Sequence, residues 1–121
     1  MSNENQIEQE IQAKGLNAPR ITPADIEENI ASEHYFSPMN GCMSEAGETS
    51  ALYGFSTTLD CLTFCVLVLR NGFTVTGESA CASPENFDAE IGRKIARANA
   101  VQKIWPLMGY ELRTLLAMSN G

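Results

Sequence analysis

The stretch Leu62-Thr-Phe-Cys-Val-Leu-Val-Leu-Arg70, then Asn71-Gly72, then Phe73-Thr-Val-Thr-Gly77, decides the fold. Two runs rich in β-branched and aromatic residues flank an Asn-Gly pair. That is the strongest short-range hairpin signal, because a type I′ turn needs φ > 0 at both central residues. The first run is apolar on both faces, with Leu62, Phe64, Val66 and Val68 alternating against Cys61, Cys65, Leu67 and Leu69. A strand of that kind is covered on both sides, by helices, another sheet or a second subunit. The second run alternates, which predicts Phe73 and Val75 inward and Thr74 and Thr76 outward.

On the C-terminal side, Ser83-Pro84 closes the strand and Asn86 or Asp88 opens a helix. Ile91, Ile95, Ala98, Val101 and Ile104 form its apolar stripe at helical spacing. Pro106 bends or ends that helix, and a final one carries Leu107, Tyr110, Leu115 and Leu116 toward Asn120-Gly121. On the N-terminal side, Thr22-Pro23-Ala24-Asp25 reads as a helix start: a capping hydroxyl, proline at the first helical position, and an acid three residues after the cap. The predicted helix carries Ile26 and Ile30 to about His34. Residues 37–58, rich in Pro, Gly, Ser, Asn and Thr, form a long loop or short edge strands.

Residues 1–20 make a flexible or helical N-terminal arm, with Ile7 and Ile11 on one face and Gly15 as a stop. Residues 21–121 form a single α+β ligand-binding domain. Its parts are an N-terminal helix, a small antiparallel β-sheet centred on the Asn-Gly hairpin, and two C-terminal helices.

The chain has 121 residues and a net charge of −7, unevenly spread. Residues 1–60 hold two basic residues, Lys14 and Arg20, against ten acidic ones; residues 61–121 hold six basic against five acidic. An acidic chain is a poor DNA binder, since phosphate contacts supply most of that affinity. A small anion needs only a few placed cations, and those lie in the second half. The longest apolar stretch, Cys61 to Leu69, is too short for a bilayer. The polar, acidic N-terminus resembles neither a secretory signal nor a transit peptide, so a cytoplasmic protein without a membrane partner is expected. Cys42, Cys61, Cys65 and Cys81 contain no C-x-x-C pair, and the only histidine is His34. Buried free thiols are expected ahead of a metal site, and no cofactor.

Arg93 and Arg97, one helical turn apart with Lys94 beside them, have the spacing of a forked clamp for phosphate or pyrophosphate oxygens. The same residues suit a solvated face paired with Glu90. Just before them, Ser83–Asp88 combines the N–H groups of a helix start with the flat ring of Phe87, which stacks on a base or packs into the core. Thr76, Glu78 and Ser79 point from the hairpin end toward the same region, to meet ribose hydroxyls or simply to end a strand. Asn99, further along the helix, completes the candidate set. The chain has no nucleophile elbow, P-loop or dinucleotide fingerprint, which argues for a binding protein and not an enzyme.

Several segments together resemble a family of small phage and prophage proteins. They are Ile-Thr-Pro-Ala-Asp-Ile (21–26), Leu-Thr-Phe-Cys-Val-Leu-Val-Leu-Arg-Asn-Gly-Phe (62–73), Thr-Gly-Glu-Ser-Ala (76–80), Glu-Asn-Phe-Asp (85–88), Glu-Ile-Gly-Arg-Lys-Ile-Ala-Arg (90–97) and Ile-Trp-Pro-Leu-Met-Gly-Tyr (104–110). That family looks like the one containing the first Thoeris anti-defence proteins. The resemblance implies a sponge that sequesters cyclic ADP-ribose isomers, such as glycocyclic ADP-ribose, without cleaving them, in the cytoplasm of an infected bacterial host. For some members it also implies a separate site for the cyclic oligonucleotides of CBASS, and a homo-oligomer, dimer or hexamer. Carried onto this sequence it marks Asn86, Phe87, Arg93, Arg97 and Arg113 as ligand-binding. The competing reading is a phage interaction protein that binds a host factor through its exposed helix.

Overall fold

The computed structural model describes residues 3–47 and 57–120. Its elements run α1 (Glu4–Ala13), α2 (Pro23–Glu28), β1 (Ile30–Phe36), α3 (Pro38–Ala46), β2 (Leu62–Leu69), β3 (Thr74–Ala80) and α4 (Ala89–Asn120). Short 3-10 turns, Thr57–Cys61 and Pro84–Asn86, lead into β2 and toward α4. The three strands form one antiparallel sheet in the order β1-β2-β3. The architecture is the expected α+β arrangement of N-terminal helix, antiparallel sheet and C-terminal helical layer.

The hairpin forms where expected, but its turn differs. Gly72 has φ +91 while no non-glycine residue has positive φ, so Asn71 does not take the type I′ conformation. The Leu69 N–H donates to the Phe73 carbonyl, and the Gly72 N–H returns to Leu69. That is a three-residue loop closed by a left-handed glycine, the next commonest hairpin connection. Its geometry leaves Phe73 outside the strand and 56% exposed, correcting its predicted inward position.

The capping box at Thr22 and Asp25 is present, with Pro23 in the first turn. The helix it starts does not reach His34. It stops at Glu28, and Ile30–Phe36 pairs with β2. Tertiary pairing overrides the helical spacing of Ile26 and Ile30 here, because the apolar β2 needs a partner on each edge. Asn29 fixes the switch: its backbone and side-chain oxygens both accept from the Arg70 N–H. Part of the expected 37–58 loop is helical. Ser37 and Asn40 form a second capping box around Pro38, and residues 48–56 lie outside the described part.

The two expected C-terminal helices are one, Ala89–Asn120, with Pro106 inside it. Proline removes a single backbone donor, and the residues after it remain helical. At about 1.5 Å per residue this helix is far longer than the strands it covers. Tyr110, at 78% exposure, and Leu115 and Met118 are correspondingly open to solvent. No helix among the described residues is long and apolar enough to cross a membrane.

The core lies between α4 and one sheet face. Cys65, Leu67, Leu69 and Val75 meet Ala96, Ala100, Val101 and Ile104, with Ile26 of α2 closing one side. Small residues set this seam. A Cβ on Gly77 would lie 2.3 Å from both the Ala100 nitrogen and the Ala96 oxygen, so strand and helix backbones touch there. The predicted stripe is therefore rotated: Ile91 (56% exposed) and Ile95 (40%) face outward, and the glycine–alanine side faces the sheet. The register puts Leu62, Phe64, Val66 and Val68 on the opposite sheet face with Ser32, His34, Phe36, Thr74, Thr76 and Glu78. Those four apolar residues of β2 are only half-buried, so one chain covers its central strand fully on one side.

The arm is a helix held mainly by polar clasps. The Trp105 Nε1 and Gln102 Nε2 each donate to Glu4 over 2.9 Å, and Arg20 grips Glu8 through both terminal nitrogens. That pairing holds the Glu8 carboxyl down to about 2. Between arm and domain lies an apolar groove of about 390 Å³ that includes Ile7, Ile21, Pro23 and Trp105.

The close approach at Gly77 carries a direct test. Gly77→Ala is expected to destabilise the fold by about 1–3 kcal/mol, the usual cost of forcing atoms into a packed seam. Denaturant unfolding measures it, and an unchanged midpoint would mean that helix and strand have room to separate.

Candidate functional site

One end of the sheet opens into a cleft of about 240 Å³. Strand β1 brings Tyr35 and Phe36, and the start of α3 brings Ser37 and Asn40. Thr63 comes from β2 and Asp60 from the turn before it; Phe87, Ala89 and Arg93 come from the turn and helix after β3. Three stretches of chain, 35–40, 60–63 and 87–93, thus converge, and they bring three aromatic residues, one cation, one carboxylate and several hydroxyl or amide groups.

Local rules place the α4 side of the cleft. The Asp88 side chain accepts from the Ile91 N–H over 3.0 Å and starts α4, so Arg93 stands in its second turn. Gly92 lets that turn approach β2: a Cβ there would lie 2.8 Å from Thr63 Oγ1 and 3.8 Å from Phe87 Cε1. The Phe87 ring is half-buried beside this contact. Phe36 meets Phe64 edge to face, centroids 5.5 Å apart at 68°, a favoured aromatic geometry. The Tyr35 hydroxyl donates to Glu33 over 2.7 Å, and burial, with that bond, raises its pKa well above the ordinary value. At neutral pH it is a donor and no base.

The predicted site residues separate into groups. Phe87 and Arg93 line the cleft together, and Arg93 makes no ion pair among the described residues. Arg97 does not join Arg93 in a clamp. Its terminal nitrogens donate to Glu27 over 2.8 and 3.1 Å, and its Nε donates to Glu33 over 3.2 Å. Arg97 therefore ties α4 to α2 and β1, and its hydrogen bonds pull the Glu27 carboxyl below the ordinary 4.5. Lys94 pairs with Glu90 over 3.3 Å and lines, with Arg97, a separate groove of about 430 Å³.

Asn86 is exposed at the end of its 3-10 turn. The Asn99 side chain donates to the Glu78 carbonyl over 2.8 Å, clipping α4 to the edge strand. Thr76 sits on the far sheet face, opposite Val66, whereas Ser79 stands on the helix side opposite Thr63. Arg113 is exposed on α4, twenty residues or about 30 Å beyond Arg93. Sequence reasoning missed Tyr35, Phe36, Ser37, Asn40, Asp60 and Thr63. The Ser37-Pro38-Met39-Asn40 capping signature was the signal available for two of them.

The site is thus a mixed aromatic and polar cleft on a small α+β domain, with a single unpaired cation. The chain belongs to the phage protein (N4 Gp49/phage Sf6 gene 66) family, whose model matches residues 21–116. That match takes in every cleft residue and leaves α1 outside. No curated protein and no solved structure matches the chain.

The Arg97 tie predicts a pH signature. Glu27 ionises more easily folded than unfolded, so the tie adds stability above the ordinary 4.5 and loses it as pH falls through the lower folded value. Arg97→Ala is expected to cost about 0.5–1 kcal/mol at pH 7, modest because the pair is partly exposed. Thermal melts should show the gap from wild type shrinking below pH 4.5; a gap constant with pH would assign the loss to packing alone.

Proposed function

We propose that this phage protein sequesters a nucleotide signal of the cyclic ADP-ribose class, binding it without cleavage in the cleft of Phe36, Phe87 and Arg93. The observation that carries the reading is the convergence of Phe87 and Arg93 with Tyr35, Phe36, Ser37 and Asn40. Aromatic faces stack on an adenine, a guanidinium grips pyrophosphate oxygens, and hydroxyl or amide groups take ribose hydroxyls. The motif resemblance across residues 62–110 supplies the ligand class.

A homo-oligomer belongs to the proposal. The cleft, about 240 Å³, falls below the roughly 300–1,000 Å³ of ordinary ligand pockets, and a second copy would enlarge the enclosure. Phe36 belongs both to the cleft and to the half-covered sheet face. On that face the titratable groups are His34 on one edge strand and Glu78 on the other. A two-fold axis parallel to the strands would set β1 of one copy over β3 of the next, bringing these unlike groups near each other across an apolar centre. The exposed Ile91 and Ile95 favour a second reading, in which this helix face binds a host protein. That reading predicts a partner in pulldowns, lost with Ile91→Lys, and no response to nucleotides.

The deciding experiment incubates the protein with glycocyclic ADP-ribose, removes free ligand, heat-denatures the complex and assays the supernatant. Intact ligand released only on heating is the expected result. Degraded ligand would make the protein an enzyme, and absence of depletion would sink the proposal. Arg93→Ala is expected to weaken binding about 10–100-fold, the loss of charge-assisted hydrogen bonds, with an unchanged melting temperature. Wild-type affinity in that variant would move the site elsewhere.

A further inference from the structure

The β2–β3 ladder continues one step past its last paired residues. Leu62 stands opposite Ala80, and the Cys81 N–H donates to the Cys61 carbonyl over 2.9 Å. The next facing pair is therefore Cys61 and Cys81. Thr63, Cys65 and Leu67 face Ser79, Gly77 and Val75 on the helix side of the sheet, and alternation directs both thiols toward that side. The Cys81 N–H bond places the two residues in the hydrogen-bonded class of facing pairs, whose Cα atoms stand about 5.5 Å apart, within the span of a disulfide.

Both cysteines are free and half-buried, whereas Cys65 is buried. The Cys81 thiol donates to the Ser83 carbonyl over 3.1 Å. Cys61 ends a 3-10 turn and Cys81 follows the last residue of β3. Neither is held in the ladder on both sides, so the backbone has freedom to draw the two Cβ atoms to the about 3.8 Å of a disulfide.

We infer that Cys61 and Cys81 form a redox-responsive dithiol, a site for reversible covalent closure of the open end of the hairpin. With a peroxide as oxidant, one thiolate attacks the O–O bond and becomes a sulfenic acid; the peroxide's other oxygen leaves as water. The second thiol then attacks the sulfenic sulfur, the S–S bond forms, and that oxygen leaves as a second water. Two thiols and one hydrogen peroxide give one disulfide and two waters.

The bond has a consequence for the cleft. The loop that delivers Phe87 begins at Cys81, and Asp60 of the cleft precedes Cys61. Oxidation moves the Cys81 sulfur off the Ser83 carbonyl and fixes the start of the loop that carries Phe87 against the turn that carries Asp60.

The test treats the reduced full-length protein with stoichiometric hydrogen peroxide, alkylates the remaining thiols and maps the peptides by mass spectrometry. The expected product has lost two hydrogens, carries a Cys61–Cys81 cross-linked peptide, and leaves Cys65 alkylated only after denaturation. Its melting temperature should exceed that of the reduced form. Cys81→Ser and, separately, Cys61→Ser should both abolish the cross-link. Phenylarsine oxide, which bridges neighbouring thiols, should bind the reduced wild type once and neither variant. A disulfide to Cys42 instead, unbridged sulfinic acids at either position, or no reaction overturns the inference.

Discussion

The structure depends on how closely α4 lies against the sheet. Gly77 on β3 and Gly92 on α4 have neighbours where a Cβ would be, and Ala96 and Ala100 between them are fully buried. This small-residue seam brings helix and strand backbones together without large side chains to separate them. Depth of core is then supplied at one end, where Leu67, Leu69, Val101 and Ile104 pack with Ile26. The other end stays shallow, and the cleft lies there. Site and core are two ends of one interface whose spacing is set by glycines.

The same rotation of α4 decides its electrostatics. With Ala96 and Ala100 turned inward, Arg97 falls on the side toward β1 and α2, where Glu27 and Glu33 wait. Glu33 is a charge on the helix side of an edge strand, and it accepts from both Arg97 and the Tyr35 hydroxyl. A charged side chain pointing inward on an edge strand discourages pairing with other chains, and β1 also carries an irregularity between Ile30 and Ser32. Arg97 therefore stabilises the edge next to the cleft and holds Tyr35 at its wall through Glu33. Its effect on the site is indirect.

The hairpin, the Thr22 cap and the helical C-terminus were legible in the sequence because each rests on local chemistry: a glycine at a turn, a hydroxyl at a cap, apolar residues at helical spacing. Strand β1 was not, because Ile26 and Ile30 share a helical face and only the pairing demand of β2 separates them. The core face of α4 was misread for a related reason. Isoleucine signals burial more strongly than glycine or alanine, yet a seam this tight admits only the small residues, and Ile91 and Ile95 are turned out. Of the cleft, Phe87 and Arg93 were visible as neighbours of a helix start. Tyr35, Phe36 and Thr63 were invisible, because they reach it through a sheet register that no local pattern encodes.

A chain with fifteen acidic residues against eight basic ones makes a poor general attractor for anions, and its ion pairs deepen that limit. Lys14, Arg20, Lys94 and Arg97 each face a carboxylate, and Arg70 donates to the Glu28 carbonyl. An anion site in such a protein depends on a cation kept away from acids and on neighbours that lower the local dielectric. Arg93 forms no ion pair among the described residues, and although it is exposed and Asp60 lines the same cleft, Tyr35, Phe36 and Phe87 stand there with it. Long-range attraction is small when net charge is negative and screening acts within about 8 Å at physiological salt. On the proposed function, recognition would then rest on contact geometry, on a ring that stacks and a guanidinium that grips. Such a mode would suit the proposed ligand, a base joined to a pyrophosphate, better than free phosphate or a nucleic-acid backbone, which charge alone would recruit.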